Sequence, residues 1–346
     1  MPTFLSPYGQ HRVMEPLGAL PQAAWKVDNL TPVLSNEILI DVDMLNIDSA
    51  SFTQIKAVTD GQLDRMEKHI LDIVQQRGKL HNPVTGSGGM LMGTVAHIGA
   101  DIAAKTPLQV GDRIATLVSL SLTPLRIEHI QKIHLERDQV QVQASAILFE
   151  TSLYAKLPSD MPEAVALAVL DVAGAPAQTA RWVKPGDTVV VVGGGGKSGS
   201  LCTFEAKRQA GPGGTVIGVS PFEADCQRMR SWDWVDHALQ LDARDALAMM
   251  AGVAEVTQGR MADVVINCVN IPGTEMGCIL ATRDRGTIYL FSMATSFSAA
   301  ALGAEGLAKD VTMIVGNGYA KGHADHALNL LRESKTLQTL FASHYA

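Results

Sequence analysis

One short segment, residues 189–199 (VVVVGGGGKSG), limits the possible folds more than any other, because an apolar strand runs straight into a glycine-rich turn. The turn fits the pattern G-x-G-x-x-G at Gly194, Gly196 and Gly199. In that pattern the first glycine makes a tight turn, the second lets the backbone approach a pyrophosphate, and the third allows a helix to pack on the strand. A turn at 184–187 and an apolar run at 214–219 complete a βαβ unit. The sequence therefore predicts a dinucleotide site.

The helix after the glycine turn should bind the pyrophosphate at its N-terminus, where unpaired amides favour negative charge. Lys197 and Ser198 directly follow Gly196, and we expect both to line the phosphate site. A carboxylate usually ends the second strand of such a unit and binds a ribose hydroxyl, but Ser220 stands there instead. Ser220 tolerates either NAD or NADP, so the pattern leaves the choice open. Glu223 could bind the ribose, although a solvated helix position accounts for it better.

Composition indicates an ordinary globular protein of about two domains. The 346 residues are 47% hydrophobic and 18% charged, with a formal net charge of −7 and no run of five or more Lys and Arg. This composition argues against nucleic acid and anionic membranes as partners. The longest apolar runs have the length of strands and the first residues do not form a signal sequence, so we expect a cytoplasmic protein. The four cysteines, Cys202, Cys226, Cys268 and Cys278, form no C-x-x-C pair, which favours reduced thiols over structural zinc.

The two halves of the chain have different patterns. The first half predicts strands at 37–46, 93–99 and 112–118 and, between them, a helix at 64–77. That helix places Met66, Ile70, Ile73 and Val74 on one face and ends at Gly78. After residue 155 the pattern alternates helices with strands at 189–192, 216–219, 263–268, 287–291 and 311–315, which is typical of a doubly wound parallel sheet in an α/β protein. We expect a β-rich domain over 1–155, with a helical insertion near 62–78, and a Rossmann dinucleotide-binding domain over 156–346.

Several sequence strings resemble a known superfamily. The strings at 110–114 (VGDRI) and 155–158 (AKLP), set in a β-rich half before a nucleotide-binding half, resemble the medium-chain dehydrogenase/reductases. Longer strings narrow the resemblance to the L-erythro-3,5-diaminohexanoate dehydrogenases of lysine degradation; they lie at 45–51 (LNIDSAS), 81–89 (HNPVTGSGG), 117–124 (LVSLSLTP), 170–179 (LDVAGAPAQT) and 291–296 (FSMATS). The resemblance implies an N-terminal GroES-like catalytic domain, a homodimer, NAD as the favoured cofactor, and a C-terminal tail that packs on the catalytic domain, with its final strand shortened or absent.

The resemblance also implies a site without a metal. Zinc-dependent members of the superfamily have a cysteine where this chain has Asp48, a His-Glu pair where it has Ser87 and Gly88, and a third ligand near Asp171. Two carboxylates and a serine would make a poor catalytic zinc site, because zinc prefers histidine and cysteine there. We therefore expect no catalytic metal.

The chemistry implied by the resemblance is oxidation of an amine. An NAD-dependent enzyme of this family converts the amine on the third carbon of 3,5-diaminohexanoate to 5-amino-3-oxohexanoate and ammonia. The ammonium must first lose a proton, and a carboxylate can bind it and accept that proton. We predict this function for Asp48 and Asp171, with Ser87 as the third catalytic residue. The alternatives are that Asp48 caps a turn with Ser49 and that Asp171 caps the helix after it.

The same resemblance places further residues around the substrate and the nicotinamide. His81, Asn82 and Thr85 lie in the loop with Ser87 and are predicted to hold the substrate carboxylate or to position water, although bracing of the loop explains His81 equally well. Glu150 is predicted to meet the distal ammonium. Residues at the carboxyl ends of the fourth and fifth strands should flank the nicotinamide; these are Val269, Asn270, Ser292 and Met293. Core packing explains Val269 and Met293 almost as well.

Two other functional classes fit the sequence less well. A zinc-free quinone or enoyl reductase would need an apolar acceptor pocket, and paired carboxylates do not suit one. A nucleotide-binding sensor without catalysis would have the same fold, since fold does not fix function. For the homodimer, the apolar stretch 299–304 offers a close-packed interface, and a buried internal helix is the alternative.

Overall fold

The structure is a computed structural model that describes residues 5–117, 119–291, 294–316 and 318–345. It divides into two compact units, which meet in the chain between Asp160 and Met161. The sequence-based boundary was placed at 155/156, just inside the short strand that ends the first unit. Within the ranges given above, no helix is both long enough and apolar enough to cross a membrane.

The first unit is built on an antiparallel sheet. Its strands are β3 (Ile38–Asn46), β4 (Met90–Ile98), β5 (Arg113–Thr116), β6 (Leu125–His134), β7 (Gln139–Leu148) and β8 (Tyr154–Lys156), in the order β6-β7-β3-β4-β5-β8. Two short strands, β1 (Val13–Glu15) and β2 (Lys26–Val27), form a separate antiparallel pair. In β3 buried and open positions alternate over much of the strand, so one face of the sheet covers an apolar core.

Two helices connect β3 to β4, where a helical insertion was predicted. They are α1 (Ser49–Val58) and α2 (Leu63–Arg77), and α2 packs on β6. The predicted apolar face of α2 is buried as expected, with Met66 and Ile70 fully inaccessible. Gly78 ends α2 in the left-handed conformation, at a φ of 69° that glycine adopts without strain. A 3₁₀ turn at Leu120–Leu122 lies between β5 and β6.

The second unit has the predicted doubly wound fold. Its strands are β9 (Thr188–Val192), β10 (Thr215–Ser220), β11 (His237–Gln240), β12 (Ala262–Asn267), β13 (Thr282–Leu290) and β14 (Thr312–Val315). Neighbouring strands are parallel in the order β11-β10-β9-β12-β13-β14, which is the Rossmann order. The helices are α3 (Glu163–Leu170), α4 (Gly174–Trp182), α5 (Lys197–Ala210), α6 (Glu223–Arg230), α7 (Ala246–Thr257), α8 (Glu275–Ala281), α9 (Phe297–Gly306), α10 (His323–Glu333) and α11 (Lys335–His344).

The valines of β9 show why both faces of this sheet are covered. Val190 and Val192 pack with residues of α7, α8 and α9. Val189 and Val191 face the other way and pack with residues of α4 and α5. A strand buried on both faces has a continuous apolar sequence, which is the pattern that β9 shows. Within this unit, α11 packs against α3, α5 and α10, while the expected contact of the C-terminal tail with the catalytic domain stays a prediction.

Candidate catalytic and nucleotide-binding sites

The glycine loop joins β9 to α5 and depends on three glycines for its shape. Gly193 directly follows β9 and has a φ of 79°, in the left-handed region. The tight turn predicted at Gly194 therefore begins one residue earlier. A Cβ at Gly194 would lie 2.9 Å from Met229 Sδ and 3.1 Å from Gly218 Cα. At Gly199 it would collide with the carbonyl oxygen of Gly193. The loop therefore folds tightly onto its own strand and the next one.

The opposite side of the loop is open and suits a pyrophosphate. Helix α5 begins after Gly196, and among the described residues no side chain caps its first amides. A Cβ at Gly196 would meet only the carbonyl oxygen of Gly193, at 3.3 Å. Lys197 and the buried Ser198 form the start of the first turn, which contains no acidic residue. Free amides and this charge balance are what an anion needs at a helix N-terminus.

Lys197 is not an isolated lysine, because its ammonium forms an ion pair with the carboxylate of Asp171. The two side chains are about equally accessible, at 33% and 30% of their surface. Asp171 is the C-cap of α3, and the N-cap of α4 is Ala173, without a side-chain bond. The alternative that Asp171 caps the helix after it is therefore wrong. The pairing brings together one residue predicted for the substrate and one predicted for the phosphates.

At the ribose end of the loop the structure shows two residues that the sequence analysis missed. The hydroxyl of the buried Ser220 donates to Asp225 Oδ2 at 2.7 Å, and Arg228 Nη2 donates to Asp225 Oδ1 at 2.6 Å. The same Nη2 donates to the carbonyl oxygen of Gly195 at 2.9 Å. Glu223, the acid considered at first, forms an exposed ion pair with Arg230 instead. Only the three-residue spacing of an Asp and an Arg on a helix after β10 could have indicated this pair.

The carboxyl edge of the sheet positions part of the predicted nicotinamide pocket. Asn267, at the end of β12, donates to Thr274 Oγ1 at 2.8 Å and accepts from the amide of Val269 at 3.3 Å. The side chain of Val269 lies against Gly193, and Asn270 is exposed. Ser292 and Met293 lie outside the described residues. The turn after β12 is thus fixed beside the glycine loop.

In the first unit, Asp48 is held by one carboxylate oxygen. It is the N-cap of α1, and its Oδ1 accepts from the amide of Ser51 at 2.9 Å. The other oxygen, Oδ2, is buried and has no hydrogen-bond partner among the described residues. Buried polar atoms are nearly always bonded, so this oxygen is a candidate acceptor for a ligand or a water molecule. Asp48 therefore does cap a helix, and it also offers one free acceptor.

Hydroxyl groups from three segments meet beside this helix. Ser51 Oγ and Thr85 Oγ1 are 2.5 Å apart, and Thr85 Oγ1 accepts from the amide of Ser87 at 3.3 Å. Ser87 Oγ lies 3.5 Å from Ser119 Oγ, which caps the 3₁₀ turn. The structure thus joins the predicted Thr85 and Ser87 to Ser51 and Ser119, which the sequence analysis did not single out.

The loop that carries these hydroxyls is fixed by its glycines. Gly89 has a φ of 95°, and a Cβ there would collide with the carbonyl oxygen of Asn46 and lie 2.8 Å from the amide of Asp48. A Cβ at Gly88 would collide with the carbonyl oxygen of Leu80. Backbone contacts that side chains would block therefore hold this loop beside the start of α1.

Asn82 uses its side chain inside the loop. Its Oδ1 accepts from the amides of Val84 and Thr85, at 2.8 and 3.2 Å, and its Nδ2 donates to Gln54 Oε1 at 2.7 Å and to the carbonyl of Ser51 at 3.4 Å. A side-chain amide has two donors and one two-fold acceptor, so no bonding capacity is left for a ligand.

His81 is an uncharged imidazole at neutral pH. Burial, with smaller contributions from the charges of Lys79 and Arg77, lowers its pKa to about 4. Its Nδ1 is buried without a partner among the described residues. Burial and Arg77 also lower the pKa of Lys79 to about 8, and the Lys79 ammonium donates to the carbonyl of Pro21 at 2.6 Å. His81 can therefore bind a ligand by a hydrogen bond but not by charge.

Glu150, predicted to meet the distal ammonium, already has a cationic partner. Its carboxylate lies 2.8 Å from the ammonium of Lys105 in a half-exposed ion pair. Among the residues that the structure describes, no three His, Cys, Asp or Glu side chains are grouped closely enough to hold a metal ion.

Comparison with solved structures identifies the fold. The chain is similar to the quinone oxidoreductase of Coxiella burnetii, with a TM-score of 0.57, 16% identity and coverage of 94% of this chain and 91% of the other. It is also similar to a mycobacterial protein in complex with NADPH, with a TM-score of 0.55, 20% identity and coverage of 92% and 85%. These identities show the fold alone, which is the GroES-like and Rossmann combination expected from the sequence.

Sequence comparison goes further. The profile of the L-erythro-3,5-diaminohexanoate dehydrogenase N-terminal domain matches residues 11–158. Two proteins named L-erythro-3,5-diaminohexanoate dehydrogenase, from Acetoanaerobium sticklandii and Fusobacterium nucleatum subsp. nucleatum, are each 53% identical over 338 residues and cover 98% of both chains. The match of 338 residues spans both units. The chain therefore belongs to the L-erythro-3,5-diaminohexanoate dehydrogenase family.

Proposed function

We propose that this protein oxidises L-erythro-3,5-diaminohexanoate to 5-amino-3-oxohexanoate and ammonia, with NAD as the preferred hydride acceptor. The observation that carries the proposal is the 53% identity, over 98% of the chain, to two dehydrogenases named for this substrate. The glycine loop supports a nicotinamide dinucleotide, since its N-terminal amides are uncapped and its outer side is open at Gly196.

Asp48 is the residue to which we assign the reacting amine. Its Oδ1 is committed to the amide of Ser51, which fixes the carboxylate, while the buried Oδ2 has no partner in the described chain. An ammonium placed there would satisfy this oxygen and gain a charge-assisted hydrogen bond. Asp48 would then accept the proton that must leave before nitrogen can donate its lone pair. A bound nicotinamide would supply the hydride acceptor for the carbon that carries this nitrogen.

The neighbouring loop would orient the substrate without adding charge. Thr85 and Ser87 offer hydroxyls, and His81 offers a neutral imidazole whose Nδ1 has no partner in the described chain. These groups can bind the substrate carboxylate or the water that releases ammonia from the iminium. We assign Asn82 to bracing of the loop, because its bonding capacity is used there.

Asp171 has a different function in this proposal from the one expected from the sequence. Its carboxylate is paired with Lys197 at the start of α5, so it orients a lysine of the phosphate site. One carboxylate, Asp48, then remains for the reacting ammonium. The distal ammonium would compete with Lys105 for Glu150.

We also propose that the reaction needs no metal, that the protein is cytoplasmic, and that it is a homodimer. Polarisation by a metal assists an alcohol, whose oxygen must carry negative charge, whereas a neutral amine expels hydride with its own lone pair. For the dimer, the outward side of α9 exposes Phe297 and Leu302 while Ala300 and Ala304 pack inward.

The deciding experiment is a substrate panel. The purified protein is incubated with NAD and with 3,5-diaminohexanoate, lysine or a secondary alcohol, and ammonia and NADH are measured together. We expect equal amounts of both products from 3,5-diaminohexanoate, at a rate that rises between about pH 7 and pH 9, because the free amine has a pKa of about 10. NADPH oxidation by quinones or enoyl thioesters, without amine oxidation, would contradict the proposal and favour the reductase alternative. Tight nucleotide binding without turnover of any compound would favour a sensor.

A further inference from the structure

β10 ends in Ser220 and not in an acid, but Asp225 of helix α6 places a carboxylate against that serine. We infer that Asp225 makes the protein select NAD over NADP and that Arg228 is a 2′-phosphate ligand which Asp225 keeps occupied. The inference rests on the proposed use of a nicotinamide dinucleotide and deepens it.

The carboxylate is fixed beside the glycine loop. Ser220, the last residue of β10, donates its hydroxyl to Asp225 Oδ2 at 2.7 Å and accepts from the amide of Phe222 at 3.3 Å. A Cβ at Gly195 would lie 2.8 Å from Asp225 Cβ and 3.0 Å from its Cγ. Asp225 therefore reaches the region that an acid at position 220 would occupy, although it lies five residues further along the chain.

Arg228 is bound on one side only. Its Nη2 donates to Asp225 Oδ1 at 2.6 Å and to the carbonyl oxygen of Gly195 at 2.9 Å. Its Nε is buried and finds no partner in the part of the chain that the structure describes. A guanidinium prefers to bind a phosphate or carboxylate through two parallel N–H groups. The unused Nε is thus a second observation, beside the ion pair, that indicates an oxygen ligand at this place.

NAD and NADP differ only at the 2′ position of the adenosine ribose, which carries a hydroxyl in NAD and a phosphate in NADP. The ribose hydroxyl of NAD can donate a hydrogen bond to the Asp225 carboxylate. The 2′-phosphate of NADP carries about two negative charges and would face that carboxylate, which disfavours it. Without the carboxylate, the same phosphate would meet a guanidinium whose Nε and Nη2 are both available. Asp225 thus acts against NADP in two ways, by repulsion and by occupying Arg228.

A matched pair on the same helix provides the control. Glu223 and Arg230 form an ion pair of 2.8 Å, with side chains that are 43% and 49% exposed. It has the same charges as the Asp225–Arg228 pair but no bond to the glycine loop among the described contacts. A general effect of charge on α6 would therefore appear in Glu223→Gln as strongly as in Asp225→Asn.

The test is a calorimetric titration of the substrate-free protein with NAD, NADP, AMP and adenosine 2′,5′-bisphosphate. Asp225→Asn keeps the size of the side chain and an oxygen acceptor for Ser220, and Asp225→Ser serves if the first variant unfolds. We expect the Kd for NAD to rise and that for NADP to fall, each about ten-fold, which corresponds to one charge-assisted hydrogen bond gained or lost. Adenosine 2′,5′-bisphosphate should follow NADP, and Glu223→Gln should resemble the parent protein.

A second substitution checks the arginine. When Arg228→Leu is combined with Asp225→Asn, the gain in NADP affinity produced by Asp225→Asn alone should vanish. An NAD-to-NADP preference that stays within two-fold of the parent in both Asp225 variants would overturn the inference while leaving the proposed deamination intact. A parent protein that binds neither dinucleotide would overturn the proposed function together with the inference.

Discussion

Lys197 and Asp171 form an ion pair that joins the start of α5 to the end of α3. The sequence analysis assigned Asp171 to the substrate and Lys197 to the phosphates. In the structure the two side chains lie in direct contact. A lysine at the first turn of the nucleotide-binding helix interacts with phosphate as a flexible point charge, and an anchoring carboxylate restricts its rotamers. The proposed nucleotide site thus extends to the C-cap of α3, which precedes β9 in the chain.

Removing this pair should weaken nucleotide binding more than turnover. We expect Lys197→Met and Asp171→Asn each to raise the Kd for NAD about two- to ten-fold, as loss of a partly exposed charge contact would, and the double variant to show less than the product of the two effects. Calorimetric titration and steady-state kinetics would separate Kd from kcat. Lys207→Met, on the last turn of the same helix, is the control. A 100-fold fall in kcat for Asp171→Asn, with NAD binding unchanged, would return Asp171 to the reacting ammonium.

Asp48 is predicted to be the catalytic carboxylate. Asp48→Asn keeps an oxygen for the amide of Ser51, so α1 should remain capped, but it cannot accept a proton. We expect kcat to fall about 10²- to 10⁴-fold with nearly unchanged NAD affinity. The matched control is Asp138→Asn, because Asp138 Oδ2 accepts a solvent-exposed hydrogen bond of 2.9 Å from Ser49 Oγ near the start of the same helix. Parental turnover in Asp48→Asn would show that another group accepts the proton.

Chelation tests the absence of a catalytic metal. Dialysis against a strong zinc chelator should leave kcat and KM unchanged, because the positions expected for zinc ligands hold Asp48, Ser87 and Asp171. Elemental analysis of the purified chain should find far less than one equivalent of zinc. Restoration of lost activity by added zinc would contradict the metal-free mechanism.

Acid should destabilise the first unit through a buried carboxylate. Burial would raise the pKa of Glu37, but bonds from Arg12, His11 and the amide of Leu34 outweigh it and lower the pKa to about 2. A carboxylate with a lowered pKa stabilises the fold fully above its unfolded pKa of 4.5 and loses this contribution as the pH falls toward 2. The shift corresponds to about 3 kcal/mol.

Urea unfolding at pH 7, 4.5 and 3 would measure this effect. Glu37→Gln should be less stable at pH 7, since the buried Arg12 loses its two charge-assisted bonds to Glu37 and keeps only Asp28, at 3.7 Å, as an acidic neighbour. Its stability should also depend less on pH in this range. Asp64→Asn, an exposed acid in the first turn of α2, should keep the parental pH dependence. If the free energy of unfolding changed equally with pH in the parent, Glu37→Gln and Asp64→Asn, Glu37 would not be the cause of the acid destabilisation.

Dimer formation should depend on the outward face of α9. Leu302 is 66% exposed there, and we expect light scattering to give twice the mass of one chain for the parent protein and one chain for Leu302→Glu. Leu247→Glu provides the control, because Leu247 is 68% exposed on α7. A monomeric parent at assay concentrations would remove the proposal.

Periodic apolar patterns were enough to predict most strands of the second unit and helix α2 of the first. The buried face of α2 and the strands β9, β10, β12 and β14 follow from spacing alone, because each has a regular apolar run between turn residues. β11 was missed since its four residues, His237–Gln240, are partly or fully exposed and show no such run. β6 was missed as well, because its ten residues are mostly polar on the open face of the sheet.

The candidate site was harder to predict, because its bonds join residues that are distant in the chain. The resemblance identified Asp48 and the loop at 81–89, but no spacing shows that Thr85 bonds Ser51 or that Asp171 bonds Lys197. The Asp225 carboxylate was missed for a related reason. The sequence pattern expects an acid at the end of β10. Here the carboxylate comes from Asp225 on α6, which bonds Ser220 at the end of that strand.

The packing of Gly88 and Gly89 limits how the substrate range of this enzyme can change. A Cβ would collide with the carbonyl oxygen of Leu80 at Gly88 and with that of Asn46 at Gly89, so neither position accepts a side chain unless the backbone moves. Selection for a new substrate would have to act on the side chains of Thr85 and Ser87 while the backbone stays in place. In protein engineering, point substitutions at those two positions should therefore be tolerated where grafting of a longer loop is not.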